Sequence, residues 1–161
     1  MTPCTRASSL LPIGLAALCA AGLAALPAAS ETLSLDRAKQ IAASAASEAK
    51  RLKAPGGAIA IVDAGGHLIY LERLDGTFPA AAAVSTEKAR TAAIFQRPTS
   101  DFEDAIRGGR NALLGVDVMT PLQGGVPIRS GGVVVGAIGV SGAASAQQDT
   151  DIANAAAVAG E

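Results

Sequence analysis

Cysteine is missing from everything beyond residue 19; the two present, Cys4 and Cys19, lie in an apolar N-terminal stretch. The rest of the chain can form no disulfide and offers no thiolate to a metal. No Cys-x-x-Cys-His run exists, which excludes covalent c-type haem attachment. Tryptophan is absent and aromatics make up 2% of residues, so a core must come from Ala, Val, Ile and Leu. With hydrophobic residues at 50%, disorder is excluded for most of the chain. There is no basic tract: 13 Lys and Arg stand against 14 Asp and Glu. Sequence-independent nucleic-acid binding, which rests on cationic contacts to phosphate, is therefore not expected. No His-Glu-x-x-His, P-loop or Gly-x-Ser-x-Gly pattern occurs, and with one histidine any His-based triad would have to use His67.

What is present begins with a leader. Arg6 is the sole charge in residues 1–30, followed by an apolar run from Leu10 to Leu26 and small residues at Ala28 and Ser30. This is the pattern of a secretory signal peptide cleaved before Glu31. A retained anchor is the alternative, but the run is broken by Pro12 and Gly14 and is short for a bilayer span. A lipoprotein reading at Cys19 meets Leu18, where a small residue is expected. The expectation is a periplasmic or secreted protein with no stable membrane anchor. A single domain would then occupy residues 31–161, a usual domain size.

Along that domain, Ala38, Ile41, Ala42, Ala45, Ala49 and Leu52 recur at helical spacing, predicting a helix over Leu33 to Lys53 with Ser34 as N-cap. Ala58 to Val62 reads as a buried strand, Asp63-Ala64-Gly65-Gly66 as a tight turn and His67 to Leu74 as the returning strand of a hairpin. A helix follows over Ala80 to Phe95. Ser100 with Glu103 forms a capping-box pattern that predicts a second helix near Asp101 to Arg107. Arg110 to Pro121 has no clear period and reads as a loop with room for one helical turn. Leu122 to Ile128 is a weak strand in which Pro127 favours an edge or a bulge. Val133 to Val140 is β-branched and almost wholly apolar, hence central. Ser145 with Gln148 opens a C-terminal helix ending near Ala159. The order reads α-β-β-α-α-β-β-β-α, an α+β class with an antiparallel sheet against helices.

Several blocks carry a resemblance. They are Val62-Asp63-Ala64-Gly65-Gly66-His67-Leu68 with Glu72-Arg73-Leu74-Asp75-Gly76; Glu87-Lys88-Ala89-Arg90-Thr91-Ala92 with Phe95 and Pro98-Thr99; Gln123 to Ile128; and Gly136 to Gly142 with Gln148-Asp149. In this order and spacing the chain resembles the GlcG/HbpS family, whose domain also occurs at the C-terminus of PduO proteins. The resemblance implies a profilin-like fold with a five-stranded antiparallel sheet, and homo-oligomers. It implies haem or another tetrapyrrole as ligand, for scavenging, sensing or degradation. It leaves open an enzyme or enzyme subunit acting on a small, glycolate-like carboxylate, and a structural oligomeric partner without ligand.

Haem needs an apolar slot and usually an axial ligand from His, Cys, Met or Tyr. Beyond the leader that leaves His67, Tyr70 and Met119, with Thr120 as an oxygen alternative. Each has a plain structural reading: turn histidine, packed tyrosine, gap-filling methionine. Lys88 falls on the apolar stripe of its helix, so it either snorkels out, holds an anionic ligand, or pairs with a carboxylate such as Asp75. Arg73 and Asp75 at the strand end could bind a ligand or pair with each other. Ser85-Thr86-Glu87-Lys88 matches Ser-x-x-Lys, but no Lys-Thr-Gly or Ser-Asp-Asn accompanies it, so serine catalysis is not expected.

Overall fold

The computed structural model describes Met1 and residues 32–159. Apart from Met1, the expected leader lies outside the described residues. Helix α1 (Leu35–Arg51) is capped as its sequence predicts: the Ser34 hydroxyl accepts the Arg37 N–H at 3.2 Å, with Asp36 in the first turn and Lys50 and Arg51 in the last. Strands β1 (Ala58–Asp63) and β2 (Leu68–Arg73) form the hairpin. Then come α2 (Ala81–Phe95), α3 (Thr99–Arg107), a 3-10 turn (Asn111–Gly115), β3 (Gly125–Ser130), β4 (Val133–Ser141) and α4 (Ala146–Val158).

The sheet runs β2-β1-β4-β3, antiparallel throughout, so the two most apolar strands are central. Helices cover both faces, which is why β1 and β4 read as continuous apolar runs rather than alternating ones. On one face α1 and α4 pack Ile41, Ala45, Ile152 and Ala156 against Ile59, Ile61, Ile138 and Val140. On the other, α2 sets Ala89, Ala92 and Ala93 against Ala60, Val62 and Ala137. That second layer is unusually close. A Cβ on Gly139 would collide with the Ser85 carbonyl oxygen, and one on Gly125 with the Lys88 carbonyl oxygen. The alanine-rich composition is thus spent on bringing a helix backbone onto a glycine-bearing sheet.

Four strands are present among the described residues, not the five the resemblance implies, and two rather than three follow α3. The outer edge of β3 shows why it ends the sheet. The Val140 N–H donates to the Gly124 carbonyl, so by ladder alternation the backbone of Gly125 and Pro127 faces outward. Pro127 has no N–H to offer, and the Thr99 hydroxyl accepts the Gly125 N–H at 2.8 Å. The capping box expected at Ser100 also does not form. Helix α3 starts at Thr99, and Glu103 instead accepts the Gln123 N–H and pairs with Arg107. At α4 the box does form in part: Ser145 Oγ accepts the Gln148 N–H, while Gln148 Oε1 accepts from Ala144.

Candidate functional site

Both outer ladders slip register at one end of the sheet. Ile61 pairs with Tyr70 but Val62 with Leu68, leaving Ile69 as an extra residue; Ile128 pairs with Gly136 but Arg129 with Val134, leaving Val135 extra. A bulge re-aims the side chains around it. Here Ile69 packs beside Tyr70 against the α1/α4 core, and Val135 joins that core. With Leu33 they wall an open cleft of about 380 Å³, completed by Thr32, Asp63, Ala64 and Gly65. That volume lies within the range of roughly 300–1,000 Å³ usual for small-ligand sites.

His67 does not line this cleft, but its ring lies against Gly65, which does. Its Nδ1 lies 3.1 and 3.2 Å from the two Asp63 carboxylate oxygens. Asp63 Oδ1 also accepts the Gly65 N–H at 2.8 Å and the His67 N–H at 2.9 Å, the turn role its sequence position predicts. Burial pulls the Asp63 carboxyl upward. The hydrogen bonds from the His67 N–H and imidazole and from the Gly65 N–H outweigh it and hold the group below its usual value. The His67 side chain is 82% exposed.

None of the other candidates lines the cleft. Tyr70 is half-buried and donates to Glu72 Oε2 at 3.3 Å. The Glu72 charge raises the phenol pKa, which disfavours the phenolate a tyrosine ligand would supply. Arg73 is exposed at the far end of β2, about 20 Å from His67 at some 3.3 Å per residue. Met119 and Thr120 are half-buried in the segment after the 3-10 turn, where the Thr120 N–H donates to Thr91 Oγ1 of α2 at 2.9 Å. Lys88 is buried, as its position on the stripe requires, but its partner is not Asp75. Its Nζ donates to the Val140 carbonyl at 2.9 Å and to Asp149 Oδ2 at 3.0 Å. The ammonium is therefore committed inside the protein and does not face a surface ligand. Ser85 is fully buried and donates to the Ala82 carbonyl, so the Ser-x-x-Lys pair has no exposed nucleophile. Among the described residues no group of three His, Cys, Asp or Glu is placed to hold a metal ion.

A family model described as haem degrading protein HbpS-like matches residues 33–158. The chain belongs to the HbpS-like family. Protein GlcG of Escherichia coli K12 is 47% identical over 83 residues, 52% of this chain. That match spans 62% of GlcG, so the chain covers about three-fifths of the length of the curated relative. Among solved structures, HbpS superposes with a TM-score of 0.75 at 30% identity, over 81% of this chain and 92% of HbpS. A PduOC:heme complex superposes at 0.70 and 26% identity, over 80% of this chain and 95% of that one. Within this HbpS-like chain, sequence reasoning singled out His67 but not the cleft walls. Leu33 and Ile69 looked like ordinary helix and strand residues; nothing in the local sequence marks the bulge at Ile69, while Pro127, beside the β3–β4 irregularity, allowed an edge or a bulge. Asp149 stood in the sequence only as part of a resemblance block; its contact with Lys88 spans 61 positions and has no local signal.

Proposed function

We propose that the protein binds haem or a related tetrapyrrole at the cleft beside the hairpin turn. The observation that carries this is the sole histidine, backed by a carboxylate and lying against Gly65 of a cleft walled in part by Leu33, Ile69 and Val135, in a chain of the HbpS-like family. The solved PduOC:heme complex, which shares the fold, supports it. The residues fit the group. Leu33, Ile69 and Val135 supply apolar wall, and His67 supplies a nitrogen ligand of the type haem iron takes. The iron would provide ligand exchange and redox chemistry; the chain's part is to seat the macrocycle edge and present one donor. An open cleft with one exposed donor suits exchangeable binding, hence scavenging, sensing or delivery for degradation rather than fixed electron transfer.

The leader pattern supports a periplasmic or secreted location. Self-association is supported by the outer edge of β2, where Leu68 and Leu71 stay exposed and no further strand pairs among the described residues. The small-acid enzyme reading has lost Lys88 as an anion holder to its pairing with Asp149. Titration of the protein with ferric haem, followed at the Soret band, tests the proposal. A saturable shift at micromolar haem is expected, and no shift in that range refutes it.

A further inference from the structure

We infer that Asp63 is the positioning residue of this site, holding the His67 imidazole in the tautomer that leaves the Nε2 lone pair free, so that Nε2 is the ligating atom. The inference rests on the tetrapyrrole reading above and adds the atom and the device that presents it.

An ionised carboxylate only accepts hydrogen bonds, so a ring nitrogen 3.1 Å from Asp63 Oδ2 must carry the proton. In a neutral imidazole the lone pair then sits on Nε2. Asp63 is itself fixed before the ring is considered. Its Oδ1 takes the N–H groups of Gly65 and His67, which tie the carboxylate to the turn. The ring lies over that turn so closely that a Cβ on Gly65 would stand 2.9 Å from its Cε1 and 3.0 Å from Nδ1. Gly65 is also part of the cleft wall, so the imidazole lies against one residue of that wall without itself lining the cleft. A carboxylate behind a histidine is the arrangement that orients ligating imidazoles and raises their basicity.

Two measurements on the full chain test this. The chain has one histidine, so the ring ¹⁵N shifts of the apoprotein report its tautomer without assignment. A proton on Nδ1 is expected; a proton on Nε2 overturns the inference. The second compares ferric-haem spectra and affinities of the wild type, Asp63→Asn and His67→Ala. The carboxamide introduced by Asp63→Asn keeps an oxygen for the Gly65 and His67 N–H groups but turns an amide N–H toward Nδ1. The ring proton then moves to Nε2 and the ligating lone pair is lost. Asp63→Asn should reproduce the His67→Ala spectrum with affinity lowered about 10–100-fold, and added imidazole should restore the nitrogen-ligated spectrum in both. Haem binding by Asp63→Asn indistinguishable from wild type overturns the positioning role. Unchanged binding by His67→Ala overturns the ligand while leaving the tetrapyrrole reading intact. Absence of binding by the wild type refutes that reading, and the ring shifts still decide the tautomer.

Discussion

The pair most exposed to a decisive test is Lys88 with Asp149, because it crosses the sheet. Lys88 lies on α2 and Asp149 on α4, and these helices cover opposite faces. The ammonium passes the strand end at Gly124, where an added Cβ would stand 3.1 Å from Nζ and also crowd the Val140 carbonyl. The side chains are only 4% and 7% exposed, and Asp149 Oδ1 is occupied by the Ala143 N–H at 2.9 Å. Asp149→Ala would leave a buried ammonium with one carbonyl for company and the Ala143 N–H unmatched. Breaking a buried pair from one side costs about 3–5 kcal/mol. For a domain of this size, that lowers the melting temperature by roughly 10–20 °C. Replacing both partners, Lys88→Met with Asp149→Leu, removes the stranded charge and should recover most of the loss. Urea and thermal unfolding followed by far-UV circular dichroism measure all three. A loss under about 1 kcal/mol for Asp149→Ala would mean that water reaches the ammonium and that the burial argument is wrong. The double variant should bind haem as the wild type does. If it folds but no longer binds, Lys88 serves the ligand after all.

Two further outcomes follow from close packing and from charge. Gly139→Ala should cost about 1–3 kcal/mol in urea unfolding, since its methyl would strike the Ser85 carbonyl and force α2 off the sheet; an unchanged midpoint would show that the helix can shift freely. Asp63 is bound in the folded state with its carboxyl pKa depressed, so its stabilisation is present above the unfolded value near 4 and is lost as pH falls through the folded value. The stability gap between wild type and Asp63→Asn should therefore be widest near neutrality and close on acidification; a gap that is constant or grows toward acid contradicts the assignment.

Much of the architecture was legible locally. Apolar spacing placed α1 and its Ser34 cap, the Asp63–Gly66 turn placed the hairpin, and the β-branched run of β4 marked it as central. Each of these depends on neighbours within a few residues. The end of β3 was less legible. Pro127 announced an edge or a bulge, but that Thr99 closes Gly125 across 26 positions could not be read from either residue alone. The same holds for the capping box at Ser100, where Glu103 finds Gln123 instead of its own helix start.

For the candidate site the division is sharper. By itself the sequence determined the census: one histidine, no cysteine beyond residue 19, and an aspartate four residues before His67 in a glycine turn. That suffices to name His67 and to give Asp63 a turn role, since both lie within one hairpin. Only the tertiary structure decided that Ile69 and Val135 bulge at the same end of the sheet and meet Leu33 there, and that Lys88 turns inward to Asp149. Register and cross-layer pairing are set by the packing of distant elements, and the energies that select them belong to the assembled core, not to any stretch of the chain.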